Sequence, residues 1–179
     1  MLTFSNGYIR VAQPNDAPTL ASWWADGKVM EHAGFPNGIK TDINQLKNRL
    51  STQKTNSVLW ILEGINHSPI GEMAFSIKDL VATLGIKICV SDAQNKGLGK
   101  QALKCMINHL FETYNIESIW LDTMIENKRA QHVYESLNFE QIKIKQACWE
   151  DQLGNIRTAT EYSLNRNIYN TKKAFYENH

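Results

Sequence analysis

The segment Val90-Ser91-Asp92-Ala93-Gln94-Asn95-Lys96-Gly97-Leu98-Gly99-Lys100 places two glycines and two lysines just ahead of a helix-periodic stretch. Glycines let the backbone approach a ligand closely and adopt angles that other residues avoid. Successive N–H groups at a helix start, with its partial positive charge, favour an anion. Lys96 and Lys100 add charge, so the chemistry indicated is phosphate binding by residues 94–100. The plain alternative is a strand–helix turn that simply needs two glycines. A Walker A loop fails, because Gln94 and Gln101 stand where Gly and Ser or Thr are required. Gly97-Leu98-Gly99-Lys100-Gln101-Ala102 does match a dinucleotide fingerprint, and Asp122 ends the next strand at a tolerable distance. Against it stand the polar spacer between Val90 and Gly97, the antiparallel look of the preceding strands and the short remainder after Asp122. A dinucleotide-binding oxidoreductase is the weaker alternative.

The elements that must position this turn follow from patterning. Tyr8 to Ala12 alternates like a strand, and Asp16 caps a helix carrying Leu20, Trp23 and Trp24. Glu31 to Lys40 reads as a loop, and Asp42 starts a helix with Ile43, Leu46 and Leu50 on one side. A β-meander follows: Val58–Leu62, Ile70–Ile77 and Thr83–Val90, the last with Leu84, Ile86, Ile88 and Val90 on one face. From Leu98 the period becomes helical through Leu103, Met106, Ile107, Leu110 and Phe111. Ser118–Met124 is a buried strand, and Asn127 opens a helix with Ala130, Val133, Tyr134 and Leu137 inside. Strands Phe139–Trp149 and Ile156–Leu164 close the chain around a turn at 151–155. This order predicts an α+β sandwich, a mixed, mostly antiparallel sheet of about seven strands flanked by helices.

The chain has 179 residues, 42% hydrophobic and 21% charged, with a net charge of +1. One globular domain over residues 1–165 is predicted, with a polar tail at 166–179 that is either a short packed helix or a frayed end. The near-neutral balance argues against nucleic acid and membrane partners, so an anion site must be built locally. Cys89, Cys105 and Cys148 lack metal-ligand spacing and read as reduced, mostly buried thiols of a cytoplasmic protein with no metal.

Gln94-x-x-Gly97-x-Gly99 after a strand resembles motif A of the GNAT N-acetyltransferase family, Q/R-x-x-G-x-G/A. Asn127-Lys128-Arg129-Ala130-Gln131-His132-Val133-Tyr134-Glu135-Ser136-Leu137-Asn138-Phe139 resembles its motif B, N-x-x-A-x-x-x-Y-x-x-x-G-F. The element order along the whole chain matches that fold as well. The closing hairpin around Ala147–Glu150 and Glu161–Leu164 is similar to the RimJ/RimL-like branch, which acetylates N-terminal amines of ribosomal proteins and has relatives acting on polyamines and aminoglycosides. Asn138 departs from the family's Gly, a conservative change because Asn tolerates a left-handed backbone best after Gly.

The resemblance implies direct acetyl transfer from acetyl-CoA to a primary amine, with a homodimer as one assembly. A non-catalytic acyl-CoA-binding module on the same fold is the alternative. The family's splayed strand carries over to the backbone of Ile88, Cys89 and Val90. The N–H of Val90 is expected to meet the thioester oxygen, a contact worth about 3 kcal/mol. Gln94, Asn95, Lys96, Gly97, Leu98, Gly99, Lys100 and Asn127 complete the cofactor set. Tyr134 is the expected acid for the leaving thiolate, against a role as helix filler. Glu72, directly or through water, is the first candidate base and His32 the second, each against an ordinary solvated charge. Trp24, His32 and Phe35 would wall the acceptor, with Trp149 and Glu150 opposite.

Overall fold

The computed structural model describes residues 1–178. The strands are β1 (Leu2–Phe4), β2 (Gly7–Val11), β3 (Ser57–Gly64), β4 (Pro69–Lys78), β5 (Val81–Ile88), β6 (Ser118–Met124), β7 (Glu140–Glu150) and β8 (Ile156–Asn165). They form one sheet in the order β1-β2-β3-β4-β5-β6-β8-β7. All neighbours are antiparallel except β5 and β6. The helices are α1 (Ala17–Ala25), α2 (Gly27–Met30), α3 (Ile43–Ser51), α4 (Leu98–Thr113), α5 (Lys128–Ser136), α6 (Arg166–Thr171) and α7 (Lys173–Glu177).

The strand beyond the expected seven is β1, whose three residues are too short to show alternation. Short α2 and a 3-10 turn at Glu31–Ala33 occupy ground around the expected loop. Two capping signals hold: the Asp42 carboxylate accepts from Asn44 and Gln45 N–H, and the Asn127 side-chain oxygen accepts from Ala130 N–H. Asp16, by contrast, makes no cap bond to α1, because its carboxylate is taken by Arg10 and by Gln13 N–H. Asn138 sits at φ 64°, the left-handed conformation expected of it.

The sheet has helices on both faces. Leu103, Met106, Ile107 and Leu110 of α4 are at most 1% exposed against Met73, Phe75, Leu84 and Ile119. Each such burial contributes about 1.5–3 kcal/mol. A smaller cluster of Leu20, Leu46, Leu50 and Ile61 seats α1 and α3 on the other face.

The tail is packed. Tyr169 stacks on Phe111 at 4.5 Å, and its hydroxyl reaches Asn108 at 2.6 Å and Glu112 at 2.8 Å. The Arg166 guanidinium donates to the carbonyls of Phe111, Tyr114 and Ile116, satisfying the open end of α4. The tail's last residue, His179, lies outside the described residues. No helix of the described residues is long and apolar enough to cross a membrane.

Candidate active site

The β5–β6 register runs only from Val81–Ser118 to Thr83–Trp120, and the two strands then part. Cys89 N–H donates to Ile70 O of β4 at 2.9 Å. Because backbone groups alternate along a strand, the amides of Ile86 and Ile88 face the β6 side, where no strand meets them. The Ile88 carbonyl accepts from the Gln94 side chain at 2.9 Å. Gln94 thus ties the glycine turn to the end of β5.

The expectation for Val90 is corrected here. Its N–H also donates to Ile70 O, at 3.1 Å. Residues 89 and 90 form a bulge that breaks the alternation seen from Leu84 to Ile88, turning Val90 back towards β4. The unengaged amide at the strand end is that of Ile88. Cys89 does not line the cleft, and burial, with Glu72 nearby, pushes its thiol up to about 12.

In the glycine turn Asn95 (φ 60°) and Gly97 (φ 76°) both adopt left-handed backbone. The Gln101 N–H makes the first bond of α4, to Gly97 O at 3.1 Å. The amides of residues 95–100 find no acceptor among the described residues. They form a concave row of donors at the N-terminus of a 16-residue helix. A Cβ on Gly99 would meet Ile88 Cγ1 at 3.6 Å, an ordinary contact. The fold itself therefore does not require glycine there, whereas a ligand lying against these amides would.

Tyr134 packs its ring against Tyr162 and Phe139 and is 7% exposed. Its hydroxyl has no hydrogen-bond partner among the described residues and borders the cleft. Burial, and secondarily the charge of Asp122, raises its pKa above the usual phenol range. Asn127 holds α5 in place through Ala130 N–H and Thr123 Oγ1.

Glue between distant segments builds the other end. Glu72, 6% exposed, is no solvated charge: Lys87 Nζ donates to it at 2.7 Å and Trp24 Nε1 at 2.9 Å. Trp149 packs against Gly34, whose added Cβ would come within 2.2 Å of the indole. Gln152 fixes the 34–38 loop, donating its N–H to Gly34 O at 2.9 Å and its side chain to Gly38 O at 3.1 Å while accepting from Asn37 N–H at 2.8 Å.

These features share one cleft of about 960 Å³. Glu72, Ile88, Gln94, Asn95, Gly97, Leu98, Gly99, Lys100, Asn127, Tyr134, His32 and Trp149 line it. Val90, Cys89, Lys96, Trp24, Phe35 and Glu150 do not. Trp24 acts one step back, through Glu72. Lys87 and Asp122 line the cleft without having been expected there as reactive-site residues.

Residues 8–140 match the family model described as an acetyltransferase (GNAT) domain. The chain belongs to the GNAT acetyltransferase family. It is an N-acyltransferase, and its cofactor is acetyl-CoA. The site of this GNAT protein fits coenzyme A: free amides for a pyrophosphate and an unpaired strand edge for an amide-bearing arm. The fold is similar to that of the spermidine N-acetyltransferase from Vibrio cholerae in complex with CoA and spermine. That likeness has a TM-score of 0.82 at 16% identity and covers 92% of this chain and 98% of that one. It is also similar to RimL, the ribosomal L7/L12 alpha-N-protein acetyltransferase in complex with CoA, with a TM-score of 0.79 at 14% identity over 92% and 96% of the two chains. A GNAT-family acetyltransferase from Bacillus anthracis shares the fold at a TM-score of 0.76 and 15% identity, over 92% and 97%. No curated protein sequence matches the chain.

Proposed function

We propose that this protein moves an acetyl group directly from acetyl-CoA to a primary amine, either an N-terminal peptide amine, a polyamine or an aminoglycoside, as in the RimJ/RimL-like branch. The observation that carries the reading is the meeting, in one cleft, of the free amides 95–100, the unpaired edge of β5 and the unengaged Tyr134 hydroxyl. The amides hold the pyrophosphate, aided by Lys100. The Ile88 N–H, in place of that of Val90, meets the thioester oxygen and supports charge that builds there. Tyr134, kept as a neutral phenol by burial, donates its proton to the departing thiolate.

The acceptor enters between His32 and Trp149 and must give up a proton to solvent water before attack. An N-terminal amine, with a pKa of about 7.7, needs less help than an alkyl amine at about 10.4. Glu72 is a poor direct base, since Lys87 and Trp24 already occupy both of its carboxylate oxygens. Two of the similar folds, a spermidine acetyltransferase and RimL, support an amine of one of these classes. A cytoplasmic setting suits the free thiols of Cys89, Cys105 and Cys148, and a homodimer suits the exposed β7 edge with Ile142 and Ile144.

Acetyl-CoA is expected to raise the melting temperature, and free CoA thiol to appear once a suitable amine is added. A protein that no acyl-CoA stabilises would sink the reading.

A further inference from the structure

Alternation along β6 sends Ile119 and Leu121 into the core and turns Trp120 and Asp122 to the opposite, exposed face. Asp122 lies directly opposite Glu161 of β8 in the register. Like charges facing each other across neighbouring strands destabilise a sheet, so the fold gains nothing from this pairing. Lys145 pairs with Glu161 at 2.5 Å and also feels the charge of Asp122. Asp122 has no hydrogen bond or ion pair among the described residues, and it lines the cleft that Tyr134 also borders.

The other carboxylates of the cleft are engaged or peripheral. Glu72 has both oxygens occupied, by Lys87 and by Trp24. Glu31 stands 3.7 Å from the imidazole of His32, with both side chains more than half exposed. An anion with no hydrogen bond or ion pair of its own is ill suited to the phosphate-bearing cofactor and well suited to a cation. Charge-matched hydrogen bonds are the strong ones, and they orient what they hold. The higher pKa of Tyr134 beside Asp122 agrees with a negative charge facing that hydroxyl.

We infer that Asp122 is the specificity residue that grips the acceptor's ammonium group, so the acceptor is a cationic alkylamine presented beside Tyr134, while Glu72 is scaffold. This rests on the acetyl-transfer reading above. No covalent step is assigned to Asp122: it binds the ammonium before the proton is lost.

The test uses the full chain, acetyl-CoA and propylamine hydrochloride as the probe acceptor, with thiol release as readout. Asp122→Asn is expected to raise the KM for propylamine about tenfold or more while leaving that for acetyl-CoA in place. Its melting temperature should not fall, because the repulsion with Glu161 is relieved. Asp122→Glu, which restores the charge, should recover part of the propylamine KM. An unchanged propylamine KM in Asp122→Asn overturns the inference, as does a lowered melting temperature with both KM values disturbed, the mark of a merely structural residue. A wild-type protein that acetyl-CoA stabilises but that releases no thiol with propylamine also overturns it. Failure of acetyl-CoA to stabilise the wild type fells the transferase reading first, and this inference with it.

Discussion

The two ends of the cleft are built on opposite plans. At the proposed cofactor end, one continuous segment offers its main-chain amides 95–100, and side chains such as Gln94 only brace it. At the proposed acceptor end, side chains line the cleft from five places: His32 after α2, Glu72 on β4, Lys87 on β5, Asp122 on β6 and Trp149 on β7. A backbone site needs local geometry, which two left-handed residues, Asn95 and Gly97, supply. A side-chain site needs distant strands held in register and loops tied down, as Gln152 ties the 34–38 loop to the β7–β8 turn. The difference suits the chemistry. A diphosphate is the same in every turnover of such an enzyme, whereas acceptor choice is set by side chains that can vary without disturbing the turn.

The largest expected effect lies where the two ends meet. Tyr134→Phe should lower kcat about a hundredfold while acetyl-CoA still raises the melting temperature normally. The phenol is raised above its ordinary pKa, so the wild type should show no loss of rate from Tyr134 ionisation as pH climbs towards about 10. Unchanged turnover in the variant would remove Tyr134 from the reaction.

A smaller effect separates the ends. Gly99→Ala adds a Cβ that Ile88 and Ile86 accept without strain, and alanine is favoured over glycine in a helix by about 1 kcal/mol. The variant should melt no lower than the wild type yet bind acetyl-CoA about tenfold more weakly, with acceptor KM little changed. Lost stability with intact cofactor affinity would mean that Gly99 serves the fold and not the ligand.

The smallest effect concerns the acceptor end alone. Burial would raise the Asp151 carboxyl. Hydrogen bonds from the N–H and side chain of Asn155, from Arg157 and from Leu153 N–H outweigh this and hold it at about 2. A folded pKa below the unfolded value of about 3.9 means stability present above that value and lost as pH falls towards 2. Thermal melts across this window should show a drop that is shallower in Asp151→Asn, with Trp149 fluorescence responding because the same turn carries Gln152. An identical pH slope in the variant would free Asp151 of that role.

Elements with strong periodicity were legible before folding. Helix α4 with Leu103, Met106, Ile107 and Leu110, the caps at Asp42 and Asn127, and the left-handed Asn138 all occur as patterning requires. β1 was not legible, because three residues carry no period. The misplaced donor at Val90 has the same kind of cause: the alternation 84-86-88-90 was followed one step past the point where the Cys89–Val90 bulge ends it, and a bulge leaves no mark in residue types. Glu72 as a solvated charge failed because burial depends on Lys87 and Trp24, neither near it in sequence. The tail was undecided for a related reason: Tyr169 and Tyr176 are core residues only because α4 lies beneath them.

By itself the sequence determined the family, the glycine turn and the helix that bears Tyr134, since each is set by interactions within a dozen or so residues. Only the tertiary structure decided which amide stays free at the end of β5, which carboxylate is paired and which stands open. Those outcomes depend on strand register and on contacts between residues tens of positions apart, where Asp122 meets Glu161 and Glu72 meets Lys87 and Trp24.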